Sequence, residues 1–132
     1  MDFTIRPNAQ AEVSEIVNDN NTAIAMGSGK SPVYATPAMV SLMETAAIHA
    51  IDPLLPEGYN TVGIGIKVKH MSATPLGMKV TAKATVVAQD RKHFDVKIKA
   101  FDEAGLIGTA EHERFIVESA PFLAKTEAKL KK

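Results

Sequence analysis

The chain contains no cysteine and no tryptophan, and those two absences remove several kinds of chemistry. Without thiols there are no disulfides, no thiolate nucleophile, no CxxC redox centre and no cysteine-ligated zinc. Aromatic residues make up 5% of the sequence, little material for base-stacking platforms or a sugar-binding shelf. Neither sign of charge is in excess, since 15 Lys and Arg offset 15 Asp and Glu, and no net field favours nucleic acid or an anionic membrane surface. No apolar run approaches the ~20 residues of a membrane span. The stretch from Met1 to Pro7 lacks the basic head and apolar core of a secretory signal. The expectation is a cytoplasmic protein with no nucleic-acid or membrane partner, holding any charged ligand locally.

What is present fits one unit. A chain of 132 residues can bury a core without covalent staples, and no repeat, linker or low-complexity segment divides it, so a single domain over residues 1–132 is expected. Ala11 to Val17 carries a weak strand pattern that stops at Asn18-Asp19-Asn20-Asn21. Thr22 to Met26 reads as a second short strand, ended by Gly27-Ser28-Gly29. From Thr36 to Ile51 the run TPAMVSLMETAAIHAI predicts a helix, with Thr36 as the cap, Pro37 at the first helical position and Pro53 just past the end. Its sides are nearly all apolar or small, and Glu44 is its only formal charge, the pattern of a buried helix.

Beyond Asn60 the period changes to two. Val62, Ile64, Ile66 and Val68 alternate with Gly63, Gly65, Lys67 and Lys69; Val80, Ala82, Ala84 and Val86 alternate with lysines and threonines; Phe94, Val96, Ile98 and Ala100 repeat the pattern. Leu106 to Val117 alternates less tidily. Turn signals at Thr74-Pro75-Leu76-Gly77, Gln89-Asp90-Arg91 and Asp102-Glu103-Ala104-Gly105 make these strands antiparallel neighbours. Ala120 to Lys132 predicts a short C-terminal helix with a solvated lysine face. One buried helix and a meander with a single dry face predict an α+β fold, an antiparallel sheet wrapped around a central apolar helix.

Glu44 has Val40, Ser41, Ala47 and Ile48 as helical neighbours, none of them a cation. It either reaches water at a helix edge or is answered from another element. His70 continues the even-numbered series and points at the helix unless a bulge intervenes. A histidine at a strand end is often merely structural, but an imidazole and a carboxylate aimed into one seam can activate water or orient a nucleophile. Capping alone explains Thr36, although helix N-terminal amides can also hold an oxygen that becomes negative. Gly63 could admit a ligand, yet lies on the opposite strand phase from His70. His49, His93 and His112 match no metal-binding spacing and read as surface or structural residues, so no metal is expected. There is no GxSxG elbow, and Gly27-Ser28-Gly29-Lys30 lacks the full phosphate-loop motif.

Three stretches, ATPAMVSLMETAA, TVGIGIKVKHMSATPLGMKV and FDEAGLIGTAEHERFIV, resemble in order and separation the fluoroacetyl-CoA thioesterase-like branch of the hot-dog superfamily. The resemblance runs from Val33 to Val117. It implies a catalytic set of Thr36, Glu44 and His70, with Gly63 and Arg114 at the substrate, Arg114 having a structural ion pair as its plainer reading. It implies hydrolysis of a short-chain acyl-CoA thioester, CoA being part of the substrate and no cofactor being needed, by a homodimer with the acyl site near the subunit junction. Glu44 would be base or nucleophile, His70 would polarise the carbonyl or position water, and Thr36 would bind or transfer the acyl group. Two other readings stay open: a hot-dog enoyl-CoA hydratase, and an acyl-CoA binding module without turnover.

Overall fold

The computed structural model describes residues 1–131. Strand β1 (Gln10–Ile16) leads through a short helix α1 (Ala23–Met26) to the long helix α2 (Thr36–Ile51). Strands β2 (Tyr59–His70), β3 (Lys79–Asp90), β4 (His93–Asp102) and β5 (Gly105–Glu118) follow, then helix α3 (Ser119–Glu127). The strands form one sheet in the order β1-β3-β4-β5-β2, all pairings antiparallel. The α+β fold expected from the alternation is the one observed. None of the helices in the described residues is long and apolar enough to cross a membrane.

The dry face of the sheet comes from the residues whose alternation marked it. Val80, Ala82, Ala84 and Val86 of β3 and Phe94, Val96, Ile98 and Ala100 of β4 are buried against Met39, Met43, Ala46, Ala47 and Ala50 of α2. Burying a side chain the size of Phe94 or Ile98 contributes roughly 1.5–3 kcal/mol, whereas the small residues act by letting helix and sheet approach. Gly108 on β5 shows how close that approach is. A Cβ there would lie 2.7 Å from the Met39 thioether and 2.8 Å from the Lys69 carbonyl oxygen. Gly108→Ala is therefore expected to cost about 1–3 kcal/mol by overpacking, read as a drop in thermal midpoint of roughly 4 °C per kcal/mol.

Local chemistry changes some of the elements expected from sequence. Residues 22–26 form a helical turn instead of a strand, because the Thr22 hydroxyl accepts from the Ala25 amide at 3.2 Å and Gly27 closes the turn at φ 69°. At the start of α2 the boundary moves by one residue: Ala35 is the cap, without a side-chain hydrogen bond, and Thr36 is already helical. The Thr36 hydroxyl is thus free for another partner. In β2 the register shifts between Gly63 and Gly65, a bulge that reverses the side-chain phase. Contrary to the even series, Val62 and Ile64 are not core residues; Ile64 is 54% exposed, while Thr61 is buried. The C-terminal helix is observed at Ser119–Glu127 with a 3-10 turn at Ala128–Leu130, and Lys132, the last residue of the expected helix, lies outside the described residues.

Helix α2 runs antiparallel to β2. Its first residue meets His70, its middle meets Gly63, and Asp52, just past its end, accepts from the Thr61 amide and hydroxyl. Thr36, Val40, Glu44 and Ile48 recur every four residues and so share one helix face. None of the four is buried, although the opposite face of the helix is.

Candidate active site

Two clusters of polar groups lie along this seam. At the start of α2 the Thr36 Oγ1 is 2.7 Å from Nδ1 of His70. The chain reaches this point under tight constraint: the Tyr34 amide donates to the Thr74 carbonyl and the Ala35 amide to the Asn21 carbonyl, each at 2.9 Å. Tyr34 is itself buried, and its hydroxyl donates to Glu15 at 2.5 Å. Burial and the Glu15 carboxylate push the phenol far above its ordinary range, so it stays a donor. Nε2 of His70 is buried with no hydrogen-bond partner among the described residues. Burial lowers the His70 pKa below the usual histidine value, with the Ser72 backbone working the other way, which favours the neutral ring. Beside the pair lies a cleft of about 240 Å³ bounded by Val33, Tyr34, Thr36, His70, Met71 and Ser72. That is smaller than the roughly 300–1,000 Å³ typical of drug-sized ligand sites.

The second cluster lies two turns further along. Glu44 Oε2 is 3.5 Å from Nη1 of Arg114, the glutamate side chain being 42% exposed and the arginine 4%. Glu44 therefore combines the two readings open from sequence: it reaches water, and a cation from β5 answers it. Arg114 is held from behind. Its Nε donates to Thr61 Oγ1 at 2.7 Å, its Nη2 to the Thr61 carbonyl at 2.9 Å and its Nη1 to His112 Nε2 at 3.0 Å. Thr61 passes the interaction on, its hydroxyl donating to Asp52 at 2.6 Å. Burial lowers the Arg114 pKa, and the Asp52 and Glu44 charges oppose that shift; the guanidinium remains a cation.

Gly63 sits against this second cluster. A Cβ at that position would lie 2.8 Å from Glu44 Oε2 and 3.2 Å from both Arg114 Nη1 and His112 Cε1. The bulge brings Gly63 onto the inner face with His70, so the phase objection raised from sequence does not hold. His112, read from sequence as a surface or plainly structural histidine, is 2% exposed and faces inward beside Arg114. The strand phase carried that signal, because Ala110, His112, Arg114 and Ile116 alternate with Glu111, Glu113 and Phe115. Thr61 and Asp52 had no comparable signal; they matter only because the chain folds Asp52 back onto β2.

Thr36 and Glu44 of one chain are eight positions apart on a straight helix, about 12 Å at 1.5 Å per residue. The structure thus joins Thr36 to His70, and Glu44 to Gly63 and Arg114, without bringing the two groups into contact. As for metal ligands, His93, Asp95 and Glu113 have donor atoms within 4.8 Å of one another among the described residues. They lie on the opposite strand phase from the buried His112 and Arg114, and His93 already pairs with Glu113 at 2.9 Å.

A long helix cradled by an antiparallel sheet, with polar groups along its β2-facing side, is the architecture of the hot-dog thioesterases. The fluoroacetyl-CoA thioesterase FlK superposes with a TM-score of 0.89 at 29% identity, covering 96% of this chain and 98% of that one. A hypothetical Thermus thermophilus protein described as a thioesterase superfamily member gives 0.87 at 28% identity, covering 97% and 94%. The fluoroacetyl-CoA thioesterase of Streptantibioticus cattleyicolor is 36% identical over 97 residues, 74% of this chain and 70% of the relative. Residues 17–120 match the family described as fluoroacetyl-CoA-specific thioesterase, FlK. The chain belongs to that family.

Proposed function

We propose that this protein hydrolyses short-chain acyl-CoA thioesters to the free acid and CoA, acting as a single-domain homodimer in the cytoplasm. The observation that carries the reading is the division of the polar residues into an acyl-holding pair, Thr36 with His70 beside a small cleft, and a water-accessible carboxylate, Glu44, beside a buried arginine. In the reaction water attacks the thioester carbonyl as Glu44 takes its proton. The tetrahedral oxyanion then collapses and expels CoA thiolate, which is protonated to the thiol. With a neutral ring the Thr36–His70 pair has one donor beyond its own hydrogen bond and presents it to the carbonyl oxygen, helped by helix amides that lack intrahelical partners. No cofactor takes part, and CoA enters only as part of the substrate. Gly63 admits the substrate next to Glu44, and Arg114 steadies the carboxylate.

The separation within one chain is closed by pairing two subunits. β2 is an edge strand of 12 residues carrying exposed Ile64 and Ile66, and long apolar edges call for a partner. An antiparallel pair of β2 strands about a two-fold axis near Ile66 brings His70 towards Gly63 of the partner subunit. Thr36 and His70 of one subunit then face the partner's Glu44. Mixing Thr36→Val and Glu44→Gln subunits tests this. Random exchange leaves one intact site in each mixed dimer, so activity should return to about a quarter of wild type, as expected of a two-fold composite site. Sites complete within one chain would give no recovery.

Gly63→Ala separates site geometry from folding. The added methyl meets the movable end of Glu44 and so displaces the carboxylate at little cost to the fold. We expect thiol release to fall roughly 10- to 100-fold, in line with misplacement of about 1 Å, with the thermal midpoint nearly unchanged. A large loss of midpoint instead would make Gly63 a folding residue.

A further inference from the structure

Glu44 owes its position to Arg114, and Arg114 owes part of its position to a residue the proposed reaction does not use. His112 lies on the inner face of β5, 2% exposed. Its Nδ1 is 2.8 Å from the carbonyl oxygen of Gly65, and a carbonyl can only accept, so Nδ1 carries the proton. Nε2 is 3.0 Å from Arg114 Nη1, and a guanidinium can only donate, so Nε2 carries the lone pair. Both neighbours dictate the same neutral tautomer. The Gly65 carbonyl is available there because of the β2 bulge between Gly63 and Gly65.

We propose that His112 is the positioning residue for Glu44: locked as the Nδ1–H tautomer, it accepts from Arg114 through Nε2 and so keeps Nη1 turned towards the carboxylate. This rests on Glu44 being the base proposed above. A proton on Nε2 would abolish the acceptor and set two cations against each other, releasing Nη1 and slackening its hold on Glu44. The charged groups around the ring are few. Glu44 faces it from α2, Arg114 and Glu113 accompany it on β5, β2 offers the Gly65 carbonyl, and its cross-strand neighbour on β4 is Val96. Burial is the main influence lowering its pKa, and Arg114 adds to it, while the Gly65 carbonyl, Glu44 and Glu113 work in the opposite direction. The ring therefore remains neutral to lower pH than an ordinary histidine, and activity should have an acid limb to which His112 contributes.

Two substitutions dissect the arrangement. In His112→Gln the amide oxygen reaches the Nε2 position and still accepts from Arg114, but cannot titrate. In His112→Asn the shorter amide can serve Gly65 but not Arg114. Thiol release from a short acyl-CoA, measured across pH alongside thermal midpoints, should show His112→Gln within about 3-fold of wild type with its acid limb moved to lower pH. His112→Asn should lose about 10- to 100-fold in kcat, in line with a misplacement of about 1 Å, with little change in KM. Equal losses in both variants with an unmoved pH profile overturn the proposal in favour of a purely structural histidine. Long-range ¹H–¹⁵N spectra read the tautomer without any turnover. An Nε2–H ring refutes the arrangement itself, whereas an Nδ1–H ring in a wild type that releases no thiol refutes the proposed reaction and with it the catalytic meaning of the network.

Discussion

Glu44→Gln is expected to abolish most thiol release, by roughly 10²- to 10⁴-fold in kcat, the range a general base contributes. Glutamine keeps the length and can accept a hydrogen bond from Arg114 but cannot take a proton from water. KM should change little, because in the proposed reaction the carboxylate acts on water and not on CoA. The fold should survive: the Glu44 side chain is 42% exposed, and although Arg114 is buried, glutamine still accepts from its guanidinium and Asp52 still opposes its charge, so the thermal midpoint should move by only a few degrees. Arg114→Leu is the instructive contrast. It strips the network from Thr61, His112 and Glu44 together and leaves buried polar atoms of Thr61 and His112 unpaired, so it should reduce stability as well as activity. Loss of activity with an intact midpoint in Glu44→Gln, against loss of both in Arg114→Leu, separates the reacting group from its support.

The next largest effect belongs to the pair at the helix start. His70→Ala is expected to lower kcat about 100-fold or more, and Thr36→Val by a similar factor. The double variant should be scarcely worse than either single one, because the two side chains act as one unit through their 2.7 Å contact. Thr36→Ser keeps the hydroxyl and should retain most activity. The pH dependence follows from the neutral ring. Burial lowers the His70 pKa, so activity should hold through the ordinary histidine range and fall only at lower pH. Stability follows the same sign. For His70 and His112 the folded pKa lies below the unfolded value, so the unfolded chain takes up protons first. Their contribution to stability is complete above the unfolded pKa of about 6.5 and is lost as pH falls through the folded values. Thermal midpoints recorded from neutral pH downward should decline in that window, and less steeply in His112→Gln.

Much of this was written in the sequence, and what was not has identifiable causes. The alternation of β3 and β4 and the apolar run of α2 reported the core directly, because each residue there has one job. Glu44 stood out as the single charge in that run. Its partner did not: Arg114 lies 70 positions away in sequence, and only resemblance pointed to it. The even series points His70 to the correct face although Val62 and Ile64 within it face outward; the bulge at Gly63 and Gly65 inverts the phase between them. The same bulge brought Gly63 to the inner face and presented its carbonyl neighbour to His112, consequences that period-two reasoning cannot foresee. From sequence Thr36 is fully explained as a helix cap. A boundary shift of one residue frees its hydroxyl for His70, and boundaries are where local pattern is weakest. His112 was within reach of strand phase, but two flanking glutamates gave it the look of a surface residue.

The most direct test of the account is the stoichiometry of products from wild-type protein incubated with a panel of acyl-CoAs of increasing chain length. Hydrolysis predicts one free thiol and one free carboxylic acid per substrate consumed, fastest for the shortest acyl groups and nearly absent in Glu44→Gln. Acyl-CoA binding with no thiol released at any chain length, or conversion of an enoyl-CoA to its hydrated thioester with the thioester bond intact, would contradict it.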